Sequence, residues 1–229
     1  MTRPAGPPAA HPVEAILGHV FARPDLLREA LTHRSLAGRR GGFSNERLEF
    51  LGDRVLGLLV AEWLSEAFPR EQEGALGKRL AHLVSQPVLA RIAEEIGLAA
   101  AIVVAPGEAK VGVKRRATVL SDALEAVLGA LYLDGGLAPT RDFVRRAWAG
   151  PFAELTSPPS DAKTRLQEWA QARGAELPVY TVIARSGPPH APEFVVAVRA
   201  AGRGGQGSGG SKRAAEQAAA ADLLAGLEA

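Results

Sequence analysis

A mixed α+β architecture is expected for this chain: an all-α domain followed by a small αβββα domain. Three observations predict it. Up to residue 155 the apolar residues recur at helical spacing, and no run of alternating β-branched residues competes with them. Thr156-Ser157-Pro158-Pro159-Ser160 then joins two prolines to three small hydroxyl residues, which cannot continue a helix. Beyond it the order becomes helix, three strands, helix. The expected division is therefore 1–11 as a lead-in, 12–155 as the helical domain, 156–160 as the linker and 161–229 as the αβββα domain.

The helical domain reads in order. Residues 13–20 and 24–32 are short helices, the second opened by a proline suited to a first turn. Asn45 is the expected N-cap of a long helix to about residue 67, which ends before Pro69. Residues 73–83 and 87–96 follow, with Gly97 as a stop. Residues 106–116 are less regular and rich in Gly, Lys and Arg. A second strongly apolar helix is expected over 118–133, halted by Gly135-Gly136, and a last one over 139–148.

In the second domain, 161–173 reads as a helix with Leu166, Trp169 and Ala170 on one side and a stop at Gly174. Residues 179–185 alternate as a strand, and 193–199 put Phe194, Val196 and Val198 on one face. The glycine-rich stretch 203–210 is a weak third strand. Residues 211–227 form an Ala-rich helix with Ala215, Ala219, Leu223 and Leu227 at four-residue spacing.

Composition narrows the function. The chain has 229 residues, 47% of them hydrophobic, and no apolar run reaches the roughly 18–20 residues of a membrane span. There is no cysteine, which excludes disulfides, thiolate zinc sites and a cysteine nucleophile. A metal would have to sit on oxygen or imidazole. The N-terminal stretch lacks the continuous apolar core of a signal peptide, so a cytoplasmic protein is expected. Net charge is only +2; 19 basic and 18 acidic residues precede Asp161, and 8 and 7 lie from it onward. Nucleic-acid binding would have to come from local patches.

The most informative segment is Asn45-Glu46-Arg47-Leu48-Glu49-Phe50-Leu51-Gly52-Asp53. On a helix, positions 46, 49 and 53 fall within about 60° of one another, so three acids share one stripe of an otherwise apolar helix. Asp122 and Glu125, three apart, repeat the arrangement on the second apolar helix. Carboxylates crowded in a half-buried place repel and lose hydration, and a divalent cation relieves both costs. Mg²⁺ is suited to such oxygen donors and can activate water in phosphodiester cleavage. Acids on a helix are also commonly just a solvated face, and Glu46 is a suitable first-turn acid for the helix dipole. Spacing alone leaves both readings open.

This segment resembles the central motif of the ribonuclease III family. Leu31-Thr32-His33-Arg34-Ser35 resembles the family's upstream segment, and Glu73-Gly74 and Leu120-Ser121-Asp122-Ala123-Leu124-Glu125-Ala126 its other acidic elements. Asp161-Ala162-Lys163-Thr164-Arg165-Leu166-Gln167-Glu168 and Gly207-Ser208-Gly209-Gly210-Ser211-Lys212-Arg213-Ala214-Ala215-Glu216-Gln217-Ala218 resemble the two ends of its double-stranded-RNA-binding domain. The resemblance spans residues 12–229, and the order and spacing of the pieces are what make it specific.

It implies a homodimeric endonuclease that hydrolyses both strands of double-stranded RNA, leaving staggered 5′-phosphate and 3′-hydroxyl ends, in ribosomal RNA precursor, mRNA and other RNA processing. It implies Mg²⁺ (with Mn²⁺ able to substitute) held by Glu49, Asp122 and Glu125, catalytic roles for Asp53 and Glu125, and further acids at the cleft in Glu46 and Glu73. No small-molecule cofactor and no membrane partner are expected. Within the RNA-binding domain, Thr164, Gln167 and Glu168 would meet 2′-hydroxyls, the loop at His190 a neighbouring minor groove, and Lys212 and Arg213 the phosphates. Lys110, Lys114, Arg115 and Arg116 form the densest basic run of the first domain, either a solvated loop or a phosphate clamp.

Several positions depart from the family pattern. Arg54 stands where the family commonly has Ser after the Asp; an Arg beside that Asp could pair with it, but adjacent helical positions do not face each other, so little harm is expected. Val111 and Val113 replace a small residue and a Gly, and Glu216 replaces the Lys usual in this class of RNA-binding domain at large, though Glu is familiar there within the ribonuclease III family. Phe50 suits either a dimer surface or the core. Two other functions compete: a catalytically silent dimeric binder of double-stranded RNA, which predicts loss of an acid among Glu49, Asp53, Asp122 and Glu125, and a small-nucleotide phosphohydrolase, which leaves the second domain without a purpose.

Overall fold

The computed structural model describes residues 11–37, 44–109, 112–159, 161–188 and 191–228. Two compact units divide between Pro158 and Pro159. The first is all-helical: α1 (Pro12–Leu17), α2 (Pro24–Ala30), α3 (Arg34–Ala37), α4 (Glu46–Ala67), α5 (Glu73–Leu83), α6 (Gln86–Glu95), α7 (Pro106–Ala109), α8 (Ala117–Gly135), α9 (Leu137–Ala147) and α10 (Ala149–Glu154). No helix among the described residues is long and apolar enough to cross a membrane.

The long helix α4 has the length its pattern predicts. Asn45 occupies the cap position, but its backbone is already helical and its side chain caps nothing. The residue is buried instead, and its N–H donates to the Thr32 carbonyl (3.0 Å). Helix α1 stops at Leu17, short of the expected residue 20, because Gly18 turns left-handed at φ +69°. Helices α3 and α10 are additional to the expected set. The irregular 106–116 stretch resolves into α7 and a 3₁₀ turn, Val113–Arg115.

The core forms where α8 runs through the middle of the unit. Leu120, Leu124, Val127, Leu128 and Leu131 are all completely enclosed. They meet Leu56, Leu59, Val60 and Leu64 of α4 and Leu89 and Ile92 of α6. Two glycines set the distance between α4 and α8. A Cβ built on Gly52 would lie 1.7 Å from the Glu125 carbonyl oxygen, and one on Gly129 would lie 2.3 Å from that of Leu48. Neither position tolerates a side chain, so the two backbones touch. Arg79, 1% exposed, closes the end of the unit: its guanidinium donates to both Glu71 carboxylate oxygens (2.8 and 2.6 Å) and to the Leu155 carbonyl (2.6 Å). Enclosure of an arginine is tolerable because its donors are partnered.

The second unit comprises α11 (Ala162–Ala172), β1 (Val179–Ser186), β2 (Glu193–Ala200), β3 (Arg203–Gly209) and α12 (Lys212–Glu228). The strands form one antiparallel sheet in the order β1-β2-β3, with a register irregularity between Val182 and Ala184. Val196 and Val198 point from β2 into a core shared with Leu166, Ala170 and Ala215, Ala219, Leu223 of the helices. The weak appearance of β3 has a physical cause. Cβ atoms on Gly205, Gly207 and Gly209 would come within 2.8, 2.2 and 2.9 Å of α12. The strand lacks side chains on that face so that the alanine-rich helix can lie directly on it.

Candidate active site

Helix α4 turns its buried stripe, Leu48, Gly52, Val55 and Leu56, into the core and carries Glu49 at the border of that stripe. Helix α8 presents Asp122 and Glu125 from the opposite side. The close approach at Gly52 and Gly129 brings the two acidic rows together. Glu49, Asp122 and Glu125 each place a carboxylate oxygen within 4.8 Å of the others, all three half-buried.

The electrostatics follow from that crowding. Burial, then the charges of Glu49 and Asp122, push the Glu125 carboxyl from its ordinary 4.5 up to about 7. Burial and the charges of Asp122 and Glu46 raise Glu49. Burial raises Asp122, against the pull of the Ser121 hydroxyl and Arg34. Arg34 likewise opposes the rise at Glu49, and Arg54 that at Glu125. Three hard oxygen donors that resist ionising together fit a divalent cation, which supplies the missing positive charge.

A pH dependence follows. Between 4.5 and about 7 the folded protein holds protons on this cluster that the unfolded chain has released. Stability then falls as pH rises. Asp134 and Asp161, held low, titrate below this window. The Tm of the cation-free protein is expected to decline from about pH 5 to 7, and Glu125→Gln to flatten most of the decline. Calorimetric melting across this range checks it; a flat wild-type profile contradicts it.

The other candidate acids are not members of this group. Asp53, one turn beyond Glu49, is half-exposed and ion-paired with Arg54, outside the three-carboxylate group. That pair departs from the expectation for neighbouring helical positions: the arginine side chain is long enough to curl back to the preceding carboxylate. Its guanidinium also lies over the Phe50 ring, 5.1 Å from the centroid. Glu46 is exposed and accepts from the Ser44 hydroxyl (2.7 Å), while Glu73 is exposed in the first turn of α5. Phe50 is 66% exposed, so it is not a core residue.

Lys114 and Arg115 lie in the 3₁₀ turn and Arg116 immediately precedes α8. Lys110 and Val111 are outside the described residues. Arg34 was not among the candidates read from sequence; only its position beside His33 in the 31–35 segment hinted at it. The segment is anchored by His33 N–H to the Val103 carbonyl (2.9 Å) and by Ala105 N–H to the Ser35 hydroxyl (3.1 Å). That places Arg34 where its charge reaches the cluster.

In the second unit, Thr164, Gln167 and Arg213 line a cleft of about 530 Å³ between the starts of α11 and α12. Glu168 is exposed on α11 and Lys212 at the start of α12, while His190 is outside the described residues. Lys163 and Glu216 are two cleft residues that sequence reasoning did not select. Lys163 Nζ donates to Glu216 (2.5 Å), and Lys212 Nζ lies 3.9 Å from the same carboxylate. A glutamate where a lysine is usual thus ties two lysines in place.

Fold and site define a class: a helical unit with a carboxylate cluster fit for a divalent cation, followed in the chain by an αβββα unit with a polar cleft. The comparisons agree. Residues 23–151 match the Ribonuclease-III-like family and 162–227 the double-stranded RNA binding motif. Ribonuclease 3 of Jannaschia sp. is 49% identical over 212 residues, 92% of this chain and 93% of that protein. Ribonuclease 3 of Rhodopseudomonas palustris is 49% identical over 215 residues, 93% of this chain and 79% of that protein. The solved nuclease domain of ribonuclease III from Campylobacter jejuni is 38% identical, with a TM-score of 0.58 over 62% of this chain and 96% of that one. The chain belongs to the ribonuclease III family: it is an endoribonuclease with a double-stranded-RNA-binding domain.

Proposed function

We propose that this chain is a homodimeric, Mg²⁺-dependent endoribonuclease that cuts both strands of double-stranded RNA. Its products carry 5′-phosphate and 3′-hydroxyl ends, and it acts in the cytoplasm on ribosomal RNA precursors and mRNA. The observation that supports the chemistry most is the half-buried meeting of Glu49, Asp122 and Glu125 across α4 and α8. These three carboxylates would hold the cation, with Glu125 in its ionised form. Mg²⁺ or Mn²⁺ there would supply a lowered pKa for water and positive charge against the reacting phosphate. Asp53, at the exposed edge of the cluster, accepts a proton from the attacking water. The water oxygen bonds to phosphorus as the P–O3′ bond breaks, and O3′ leaves as a hydroxyl by taking a proton from solvent water, while Asp53 passes its own proton to solvent. Glu46 and Glu73 add negative charge at the approaches.

Dimer formation is supported by Phe50 and Leu58, both exposed apolar side chains of α4, and by an apolar groove that Leu26, Leu48, Leu51 and Leu133 line beside Phe50. The Campylobacter jejuni structure is described as containing a region involved in dimer formation. Two sites per dimer account for cutting both strands. Duplex RNA is read by shape: Thr164, Gln167, Glu168 and His190 face the minor groove, and Lys212 and Arg213 meet phosphates. Lys110, Lys114, Arg115 and Arg116 clamp phosphates beside the cleft.

The Asp53–Arg54 pair favours a second reading, a binder that holds duplex RNA without cutting. Incubating the purified chain with a long labelled RNA duplex, with Mg²⁺ or with EDTA, separates the two on a denaturing gel. Discrete shortening with Mg²⁺ and none with EDTA is expected. A duplex that is bound yet uncut with Mg²⁺ selects the silent binder.

A further inference from the structure

Asp53 is the acid that the cation cluster leaves out, and Arg54 is what occupies it. The guanidinium sits between this carboxylate and the Phe50 ring one turn earlier on the same helix. Its side chain is 65% exposed, and that of Asp53 40%. An ion pair so exposed is weak and readily exchanged. The positive field of Arg54 nevertheless reaches Glu125, a member of the cluster. One side chain therefore holds a fourth acid aside and opposes cation binding at the other three.

We propose that Arg54 is a positioning residue that acts through Asp53, tying cation uptake to the arrival of RNA. The inference rests on the reading of Glu49, Asp122 and Glu125 as cation ligands. In the RNA-free protein, Arg54 keeps Asp53 out of the cluster and its charge lowers the affinity for a dication. A phosphate of the duplex offers the guanidinium two oxygens in the geometry it pairs with best. When Arg54 moves to that phosphate, Asp53 is released toward the other acids and the local positive charge is neutralised. A serine at this position carries no charge and cannot form the pair.

Isothermal titration of the RNA-free full chain with MgCl₂ tests this without cleavage. Arg54→Ala is expected to bind Mg²⁺ about three- to tenfold more tightly than wild type, the size expected for removing one nearby charge in a solvent-exposed setting. Arg54→Lys, which keeps the charge, is expected to restore wild-type affinity. In an Asp53→Asn background, Arg54→Ala is expected to lose the share of its gain that comes from releasing Asp53 and to keep the share due to removing the charge. With duplex RNA, Arg54→Ala raises KM and leaves kcat unchanged. Equal Mg²⁺ affinity of Arg54→Ala and wild type overturns the proposal, as does an undiminished gain in the Asp53→Asn background. Failure of both wild type and Arg54→Ala to take up Mg²⁺ overturns the cation-site reading itself, and this inference with it.

Discussion

Glu125→Gln is expected to abolish cleavage of duplex RNA while leaving duplex binding intact. The substitution keeps the shape of the side chain and removes the charge that α8 contributes nearest the middle of the cluster. Losing several kcal/mol of transition-state stabilisation slows cutting by roughly a thousandfold. The RNA contacts of the second unit are separate from this change, so the Kd for duplex should stay within about twofold. The same variant is expected to melt no lower than wild type near neutral pH. Glu125 is a destabilising residue there, because its carboxyl resists ionisation in the half-buried cluster. Single-turnover cleavage, a filter-binding isotherm and a melting curve together check all three outcomes. A variant that cuts at the wild-type rate contradicts the assignment of Glu125.

Gly52→Ala is expected to be the most damaging small substitution in the first unit. Its Cβ would meet the Glu125 carbonyl oxygen at 1.7 Å and the Gly129 nitrogen at 3.0 Å. Both are backbone atoms of the facing helix, so no side chain can swing aside. Helices α4 and α8 must separate, loosening the core they share. A cost of about 3 kcal/mol is expected, a fall in Tm of roughly 10 °C for a unit of this size. Cleavage should fall further than stability accounts for, because the separation carries Glu49 away from Asp122 and Glu125. Gly129→Ala is expected to behave alike, since its Cβ meets the Leu48 carbonyl. Gly57, with open space around it, serves as the control: Gly57→Ala should be neutral or stabilising. Melting curves and single-turnover rates at a temperature where every variant is folded check these expectations. Wild-type stability and rate in Gly52→Ala would contradict the close-approach argument.

Much of the architecture is legible in single segments. The helical period of 46–67 and 118–133, the stop at Gly97, and the alternation at Val196 and Val198 are local properties. So is the shared face of Glu46, Glu49 and Asp53. What could not be read locally involves a partner from elsewhere in the chain. Glycine in β3 weakens a strand considered alone and is required once α12 lies across it. Gly52 is required only because Gly129 and the Glu125 carbonyl stand opposite it. Phe50 fitted core or surface equally, because periodicity does not say which apolar flank of α4 meets α8. Pairing of Arg54 with Asp53 was considered and expected to do little harm, on the rule that adjacent helical positions diverge. That rule concerns Cβ directions, and a long flexible side chain is not bound by it.

The amino-acid sequence by itself determined the helix-rich first unit, the αβββα second unit, the absence of thiol chemistry and the family to which the chain belongs. The units and the absent thiols depend on composition or on a pattern within one stretch of chain, where 3.6 residues per turn or alternation is enough; the family depends on the order and spacing of several motifs along the chain. The family resemblance implied that Glu49, Asp122 and Glu125 meet; only the tertiary structure decided how closely they do, that Asp53 is paired with Arg54, and that the charge of Arg34 reaches the cluster from another segment. The reason is the distance over which the forces act. Carboxylate repulsion, loss of hydration and cation affinity depend on a few ångströms between α4 and α8, and two glycines more than seventy residues apart set that separation.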